Sequence, residues 1–372
     1  MNIAVNARFL IKNKLEGFGQ YSNETLSRIV KNHPEHQFFF FFDRPFDKEF
    51  VYSKNVIPIV ISPPARHPLL FKIWFDYRLP LAFKKYKCDA FISPDGYCSL
   101  RSNIPQLAII HDLNFEHNPN DFPKGVLKYL KSYFPKFAAK ASRICTVSNF
   151  SKEDICQQYN ISSSKIDITY NAASPIYVPI IEKEKNEIQK ELTDSNPYIL
   201  FVGSLHRRKN IQRLLTAFST VKQNSEFNHH LVIVGEKMWK DVWFKIPESI
   251  QKYVHFTGHL TSQKLAKVTA GADLMTFVSY FEGFGIPIVE AMQSGTPVLC
   301  GNLTALPEIG GDAVQYCDPF SEEDISNKIL FLLQNPSKLE DLKMKGLRHA
   351  QNFSWDNTSK ALWDSFSKMM EL

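Results

Sequence analysis

The sequence contains few of the features that mark a metal site or a disulfide framework. It has no D-x-D pair, and its histidines and cysteines do not cluster at metal-ligand spacing, so we expect no metal or other cofactor. None of its six cysteines belongs to a C-x-x-C pair, and several lie in apolar runs. We therefore expect reduced thiols in the core of a protein from a reducing compartment.

Long hydrophobic runs and a signal peptide are also missing. No apolar run reaches the roughly 18 residues that a spanning helix needs, and the chain begins at once with the strand-like segment Met1–Asn6. These absences predict a cytoplasmic protein. The net charge of +6 is a mild excess that suits an anionic ligand or a lipid surface and gives no reason to expect nucleic acid as a partner.

Apolar and aromatic residues, by contrast, are plentiful. The 372 residues are 44% apolar, which is enough for two ordinary globular domains. There are 30 phenylalanines, five of which form the uninterrupted run Phe38–Phe42. This run is too short to cross a bilayer, and we interpret it as a buried strand of a parallel sheet.

A glycine turn joins a short apolar strand to a helix near the middle of the second half of the chain. Gly283 and Gly285 let the backbone approach a ligand without an intervening Cβ. Pro287 suits the first turn of the helix, where its missing N–H costs nothing. The amides at such a helix start carry a partial positive charge and favour phosphate.

Two carboxylates flank this turn. Glu282 precedes the helix, and Glu290 lies about one turn into it with a side chain that leans back toward the N-terminus. Two acceptor groups around a phosphate-binding turn suit a sugar nucleotide, with sugar hydroxyls on Glu282 and ribose hydroxyls on Glu290. The alternative is a solvated helix with two surface glutamates, and the spacing alone leaves it open.

A basic loop lies upstream, between the strand Tyr198–Gly203 and a helix with apolar residues at three- and four-residue steps. In an open α/β sheet such a loop faces the ligand crevice. Its cations, which include Arg208 and Lys209, could neutralise a departing diphosphate without a metal. A solvated basic surface is the alternative.

Together these segments resemble the retaining glycosyltransferases of family 4, the group 1 glycosyltransferases, in their mannosyltransferase-like branch. The resemblance runs along most of the chain, and the ordered series of motifs is more specific than any one of them. The motifs are G-S-L-H-R-R-K-N at 203–210, E-G-F-G-I-P-I-V-E at 282–290, S-G-T-P-V at 294–298, L-P-E-I at 306–309, H-D-L at 111–113 and V-S-N-F-S at 147–151.

The resemblance implies an α/β protein of the GT-B fold, in which two Rossmann-like α/β/α domains face each other across a cleft. It implies a metal-independent hexosyltransferase that moves a hexose from a nucleotide-sugar donor to a glycan or lipid-linked acceptor in surface polysaccharide or lipopolysaccharide biosynthesis. The anomeric configuration would be retained, with the acceptor attacking on the leaving-group face and the departing phosphate taking its proton.

The family pattern also implies roles for individual residues. The catalytic residues would be His111, Arg208, Lys209 and Glu282. The donor would be bound by Gly19, Gly203, Ser204, Gly235, Leu260, Gly283, Phe284, Gly285, Ile286 and Glu290, and the loops near Lys237 and His259 would touch the base. The candidates on the acceptor side are Phe18, Tyr21, Asp112 and Ser148.

His111 and Asp112 follow the apolar strand 106–110, at the end of a parallel sheet where ligands bind. In the family His111 would lie beside the transferred sugar, and Asp112 would orient the loop. A structural histidine at the end of a buried strand is the alternative.

An acceptor-binding domain is expected over residues 1–172, joined by the C-terminal helix 355–372. The nucleotide-sugar-binding domain is expected over 197–354, and 173–196 would be a linker with a local helix. Acceptor specificity would lie in loops around 60–75 and 94–125.

Residues 124–143 are basic and aromatic, with five lysines and no acidic residue, and Pro135 is expected to interrupt their helix. The segment could contact anionic lipid on the inner face of the cytoplasmic membrane. Solvated lysines on a core helix explain it equally well. Ser151 is expected to cap the helix that follows.

Two further functions remain open at this point. One is a nucleotide-sugar epimerase or hydrolase of the same fold. The other is a non-catalytic subunit that binds a sugar nucleotide.

Overall fold

The structure is a computed structural model that describes residues 1–15, 17–236 and 244–371. Lys237, which the sequence places near the base, lies outside these ranges. The chain forms two compact units. The first consists of Met1–Asn171 with Trp355–Leu372, and the second of Ala172–Ser354.

The described strands of the first unit form one parallel sheet of seven, in the order β3-β2-β1-β4-β5-β6-β7. The strands are β1 (Asn2–Asn6), β2 (Gln37–Phe42), β3 (Val56–Val60), β4 (Ala90–Ser93), β5 (Gln106–Ile109), β6 (Arg143–Thr146) and β7 (Ile166–Ile168). The helices are α1 (Phe18–Asn32), α2 (Pro68–Ile73), α3 (Leu79–Lys85), α4 (Asn114–His117), α5 (Lys124–Lys140) and α6 (Asn149–Tyr159).

The centre of this sheet is buried on both faces, because helices cover both sides of a parallel sheet. Phe38–Phe42 pairs in parallel with β1 on one side and β3 on the other. None of these five phenylalanines is more than 7% exposed. The prediction of a buried parallel strand from the phenylalanine run is therefore confirmed.

Helix α5 continues through Pro135, so the expected interruption is wrong. Proline cannot donate to the carbonyl four residues earlier, which belongs to Lys131, an exposed residue that water can reach. Tyr129, Phe134 and Phe137 are buried in the core of the unit. The exposed side of the helix carries Lys124, Lys128, Lys131 and Lys136. The helix thus packs an aromatic face into the core and exposes its lysines.

The described strands of the second unit form a parallel sheet of six, in the order β10-β9-β8-β11-β12-β13. The strands are β8 (Tyr198–Val202), β9 (His230–Val234), β10 (Val254–Gly258), β11 (Leu274–Phe277), β12 (Val298–Gly301) and β13 (Gln315–Cys317). The helices are α7 (Glu182–Thr193), α8 (Ile211–Gln223), α9 (Ser262–Ala270), α10 (Ile286–Gln293), α11 (Leu306–Gly310), α12 (Glu322–Gln334) and α13 (Pro336–His349).

Residues 173–196, expected as a linker, are held to the second unit. Gln293 Nε2 in α10 donates to the carbonyls of Ser174 and Tyr177, each at 2.9 Å. Helix α7 forms an ion pair with α9 between Glu184 and Lys267 at 3.2 Å. The two hydrogen bonds from Gln293 and the ion pair of α7 thus attach this segment to the second unit, the one expected to bind the nucleotide sugar.

The last helix, α14 (Trp355–Met370), returns to the first unit and packs on α1. Arg28 Nε in α1 donates to Asp356 at 2.6 Å. Among the described residues no helix is both long and apolar enough to cross a membrane. All six cysteines are free thiols, five of them buried, as the sequence predicts.

Candidate active site

Two cations of the second unit lie on the loop that leaves the carboxyl end of β8. Arg208 and Lys209 belong to the 3₁₀ turn Arg207–Lys209, which leads into α8. His206 caps this turn, because its Nδ1 accepts from the backbone N–H of Arg208 at 3.3 Å. Lys209 is only 6% exposed, and a buried cation requires a charged partner.

That partner is Glu282, on the loop that follows the neighbouring strand β11. Its Oε1 lies 2.6 Å from Lys209 Nζ, and its Oε2 lies 2.5 Å from Arg208 Nη1. Lys209 Nζ also stands 4.5 Å from the centre of the Phe277 ring, which adds a cation–π contact. The structure therefore joins the predicted basic loop and the predicted acidic turn in a single ion cluster.

Glu282 is ionised in this cluster. Its burial alone would raise the pKa, but the charges and hydrogen bonds of Arg208 and Lys209 outweigh burial and lower the pKa from 4.5 to about 2. An ionised carboxylate accepts hydrogen bonds and cannot donate them. The cluster of two cations and one acid keeps a net positive charge, so it can attract an anion while Glu282 accepts from a hydroxyl.

Hydrogen bonds hold the two loops of this cluster together. The backbone N–H of Tyr280 donates to the carbonyl of Arg208 at 3.0 Å. Asn210 Nδ2 donates to the carbonyls of Val278 at 3.0 Å and Pro319 at 2.5 Å. The geometry of the cations and the acid is thus fixed by the protein itself, which is what a preorganised electrostatic site requires.

Helix α10 starts directly after the glycine turn. Gly285 is its N-cap residue with a φ of 107°, which strongly favours glycine, and Pro287 lies in the first turn as predicted. Glycine has no side chain with which to cap a helix, so the start of α10 keeps the partial positive charge of its amides. The Phe284 ring is buried edge-on against Phe353 at 5.5 Å.

Glu290, the second predicted donor carboxylate, has an unusual environment. Burial raises its pKa from 4.5 to about 7, and a hydrogen bond from the Tyr177 hydroxyl opposes this increase. Burial and the nearby Glu290 raise the pKa of Tyr177 itself, so that its hydroxyl keeps its proton and donates. Glu290 therefore keeps its proton to a higher pH than an ordinary glutamate does, and the Tyr177 hydroxyl already donates a hydrogen bond to it.

An open cavity of about 1110 Å³ lies in the same unit at the carboxyl ends of β9 and β10. Gly235 and Gly258 line it, with Leu205 from the loop after β8. The Phe256 ring on its wall is 40% exposed. The cavity is thus large enough for a small ligand and has an exposed aromatic surface.

In the first unit, His111 follows β5 as predicted. Its Nε2 lies 2.8 Å from the carbonyl oxygen of Pro94, which can only accept, so Nε2 carries the proton. Burial lowers the pKa of His111, against the opposing effect of the Pro94 bond. The neutral ring therefore presents Nδ1 as an acceptor. The rings of Phe18 and Tyr21 pack edge-on against it at 4.7 and 5.0 Å.

Two family models match the sequence. One, described as "Glycosyl transferases group 1", matches residues 182–349, and the other, described as "Glycosyltransferase Family 4", matches residues 17–175. Together they extend over most of both units. The chain belongs to the group 1 glycosyltransferases.

This group 1 glycosyltransferase is similar to O-antigen chain mannosyltransferase B of Escherichia coli, with 29% identity over 361 residues that span 93% of the chain and 94% of the relative. It is also similar to O-antigen chain mannosyltransferase RfbU of Salmonella typhimurium, with 24% identity over 329 residues that span 85% and 86%. The chain is accordingly a transferase rather than one of the epimerases, hydrolases or binding subunits considered above.

Solved structures share the fold. Sucrose-phosphate synthase from Thermosynechococcus elongatus has a TM-score of 0.78 at 16% sequence identity. The match covers 100% of this chain and 99% of the synthase chain. Anabaena Alr3699/HepE in complex with UDP-glucose has a TM-score of 0.77 at 16% identity, with 99% and 100% covered. The GT-B expectation of two Rossmann-like units with parallel sheets is confirmed.

Three glycines expected to bind the donor of this glycosyltransferase also have structural reasons of their own. A Cβ on Gly235 would lie 2.0 Å from the carbonyl oxygen of Gly203, and one on Gly19 would lie 2.8 Å from that of Phe9. The packing therefore requires a residue without a side chain at both positions. Gly203 has room for a Cβ, which would meet Lys209 Cε at an ordinary contact distance of 3.4 Å, but its φ of 151° favours glycine. The contacts of all three with a donor stay a prediction.

Two of the acceptor-side candidates are internal. Tyr21 is fully buried and its hydroxyl donates to Thr169 at 2.8 Å. The expectation that it contacts the acceptor directly is therefore wrong. Its ring packs against His111 instead. Ser148, also fully buried, caps α6 by accepting from the N–H of Ser151 at 3.0 Å. The expectation that Ser151 is the cap is therefore wrong as well.

The other predicted residues lie at the same sheet edges. Phe18 is 39% exposed beside His111, and Asp112 orients its loop by accepting from Asn114 N–H at 3.0 Å. Ser204, Leu260 and Ile286 are partly exposed, and Gly283 is buried in the turn. Their contacts with substrates stay predictions.

Three residues of the site were not predicted. Tyr177 bonds Glu290, Asn210 ties the two loops together, and Thr304 Oγ1 accepts from the Glu282 N–H at 3.1 Å. Asn210 ends the recognised basic motif and could have been found from it. Tyr177 and Thr304 lie in segments that gave no sequence signal.

Proposed function

We propose that this glycosyltransferase moves a hexose, with mannose favoured, from a nucleotide-sugar donor to a glycan or lipid-linked acceptor in the synthesis of a surface polysaccharide. The O-antigen mannosyltransferases to which the chain is similar over most of their length support the choice of sugar and pathway. The complex of Anabaena Alr3699/HepE with UDP-glucose supports a nucleotide sugar as donor.

One observation carries the proposal: Arg208 and Lys209 converge on Glu282 beside the start of α10. The diphosphate of the donor binds the two cations and the amides of the helix start, because both favour negative charge. Glu282, which stays ionised, accepts a hydrogen bond from the hexose. Glu290 accepts from the ribose, in place of its bond with Tyr177.

The reaction retains the anomeric configuration and uses no metal. The bond between the anomeric carbon and the diphosphate oxygen breaks, the acceptor oxygen bonds to the same face, and the acceptor proton passes to the departing phosphate. Negative charge grows on the diphosphate during this step, and the fixed cations stabilise it. The role of the second unit is therefore electrostatic.

The first unit contributes His111 and binds the acceptor. The neutral His111 ring offers an acceptor nitrogen whose orientation is fixed by Pro94, Phe18 and Tyr21, which suits the positioning of a sugar hydroxyl. Phe18 is the exposed aromatic residue beside it and is the best remaining candidate for contact with the acceptor.

Peripheral contact with anionic lipid is retained as a proposal, now based on charge alone. Three of the four aromatic residues of α5 are buried and Tyr133 is half-buried, but Lys124, Lys128 and Lys136 are exposed on one helix. Such contact would be weak and would disappear at high salt. Sedimentation with phosphatidylglycerol vesicles at 0.05 and 0.5 M salt tests it, and equal binding at both salt concentrations would contradict it.

The proposed function is tested with a panel of nucleotide sugars and a lipid-linked oligosaccharide acceptor, in the presence and absence of a metal chelator. We expect transfer from a nucleoside diphosphate mannose with an unchanged anomeric configuration in the product, read by NMR, and no effect of the chelator. Inversion, complete loss of transfer with the chelator, or hydrolysis of donor without transfer would each refute the corresponding part.

A further inference from the structure

A cavity in the first unit is lined by residues other than those that carry the proposed chemistry. It lies at the carboxyl ends of β2 and β3 and has a volume of about 470 Å³, which is within the range of small-molecule sites. Arg44, Arg66 and Asp43 contribute its charged lining, and Val60 and Leu70 contribute apolar walls. The edge strand β3 exposes 44% of Val60 here.

Arg44 is held in place by a buried carboxylate. Its Nε and Nη2 donate to the two oxygens of Asp43 at 2.6 and 2.8 Å, and the Asp43 side chain has no exposed surface. Asp43 is fixed in turn, because its Oδ2 accepts from the N–H of Ala65 at 2.9 Å. This two-point bond uses one edge of the guanidinium group and leaves the donors of the other edge for a second anion.

The wall of the cavity is rigid. The loop 61–66, which ends at Arg66, has backbone carbonyls that accept from Trp74 Nε1 at 3.0 Å, Arg78 Nε at 2.9 Å and Arg8 Nη1 at 3.2 Å. Together with the Asp43 bond, four side chains fix one short loop. A wall ordered in advance loses little conformational entropy when a ligand binds.

The charge of the lining selects the class of ligand. Arg44, Arg66 and Asp43 leave one net positive charge, and Asp43 is already satisfied by Arg44 and a backbone amide. Arginine forks bind phosphate through paired hydrogen bonds. The apolar walls favour a phosphate attached to an organic group over a free ion.

We propose that this cavity binds a phosphate ester carried by the acceptor. The cavity shares its sheet edge with His111, three strands away in the order β2-β1-β4-β5, which is roughly 14 Å at the usual strand spacing. The phosphate is thus bound well apart from the hydroxyl that reacts. Its assignment to the acceptor rests on the proposed function, whereas the anion site does not.

Two sources share this chemistry: a lipid phosphate in a membrane and a soluble sugar phosphate. Hydrogen–deuterium exchange of the full chain separates them and shows where each binds. The probes are inorganic pyrophosphate, vesicles of phosphatidylglycerol, and vesicles of phosphatidylcholine as the uncharged control.

We expect pyrophosphate or phosphatidylglycerol to slow exchange in residues 43–46 and 61–67, including the N–H of Ala65. Slowing by pyrophosphate indicates a soluble source, and slowing only by phosphatidylglycerol indicates a lipid. In Arg66→Gln, an exposed position whose replacement leaves the fold intact, the affinity of the effective probe falls at least about tenfold, as expected for a lost charge-assisted hydrogen bond. Lys54→Gln, which removes an exposed cation near the opposite end of β3, leaves the affinity unchanged.

Protection of residues 203–210 and 283–288 by pyrophosphate reports the proposed donor site in the same experiment. Protection there without any change at 43–46 and 61–67 overturns the inference and leaves the proposed function standing. Protection at 43–46 and 61–67 that is equal in Arg66→Gln also overturns it. If pyrophosphate protects 43–46 and 61–67 but not 203–210 and 283–288, the result argues against the proposed function and leaves the anion site standing.

Discussion

Lys209 Nζ lies 2.6 Å from Glu282 Oε1, and less than a tenth of either side chain is exposed. Arg208 occupies the other oxygen of the same carboxylate at 2.5 Å. Two cations that share one buried carboxylate act with it as a unit, so replacing one of the three groups changes the environment of the others. Mutations at this site must therefore be interpreted through both stability and activity.

We predict that Glu282→Gln destabilises the protein by about 3–5 kcal/mol, the cost of leaving a buried charge without its partner. Lys209→Met costs less, because Arg208 still neutralises Glu282. Urea denaturation at pH 7 measures both free energies of unfolding. Equal stabilities of the two variants would show that the cluster is more hydrated than its burial indicates.

We predict that Lys209→Met lowers kcat about 10²–10³-fold, the usual effect of removing one preorganised donor from a developing negative charge. KM for the donor changes less, because the charge of the diphosphate grows mainly in the transition state. Lys183→Met, an exposed lysine on α7, is the matched control and keeps full activity. If Lys209→Met changed only KM and left kcat unchanged, Lys209 would act in donor binding and not in catalysis.

Glu290 makes stability depend on pH in an unusual direction. Its folded pKa of about 7 is above the ordinary 4.5, so the folded protein holds this proton more tightly than the unfolded chain does. The stabilising contribution is complete below pH 4.5 and is lost as the pH rises to 7. Glu290→Gln should therefore gain stability relative to the parent between pH 5 and pH 8, measured by urea midpoints. A constant difference would refute the raised pKa.

Tyr177→Phe provides a second test of this carboxyl. The Tyr177 hydroxyl donates to Glu290 and lowers its pKa, so without it the pKa of Glu290 rises further. We predict that the loss of stability with pH then extends above pH 7. The variant should show no such extension when it is combined with Glu290→Gln, because the titrating group is then absent.

Much of this arrangement follows from local sequence. Strand ends and helix starts are fixed by apolar periodicity and by glycine and proline, so His111 at the end of β5 and Gly285 at the start of α10 were predictable. Arg208 and Lys209 meet Glu282 because β8 and β11 are neighbours in the sheet. Loops at the same edge of adjacent parallel strands converge regardless of their separation in sequence.

Partners chosen by tertiary packing were not predictable. Tyr177 reaches Glu290 from a segment with no periodic pattern. The backbone of Gly203 leaves no room for a side chain at Gly235, and this close approach has no signal in the local sequence. Pro135 lies inside α5, although propensity alone argues against that position.

A stability prediction concerns His111, whose ring packs against Phe18 and Tyr21 and whose Nε2 donates to Pro94. His111→Phe keeps the ring contacts and loses the hydrogen bond, so we expect a cost of about 1 kcal/mol. Transfer should fall at least about tenfold, because the variant has no acceptor nitrogen. Tyr21→Phe, which keeps the ring beside His111 and loses only the bond to Thr169, should retain activity within a factor of about three.

The glycines permit a matched test of packing. A Cβ on Gly235, where φ is 145°, would lie 2.0 Å from a backbone oxygen. Gly235→Ala should therefore destabilise by about 3 kcal/mol or more. Gly125, in the first turn of α5, has no atom within 4 Å of an added Cβ, and Gly125→Ala should stabilise by up to about 1 kcal/mol because it restricts the unfolded chain. Thermal unfolding of the two variants gives shifts of opposite sign. A Gly235→Ala variant as stable as the parent would mean that the loops after β8 and β9 can separate to accept a side chain.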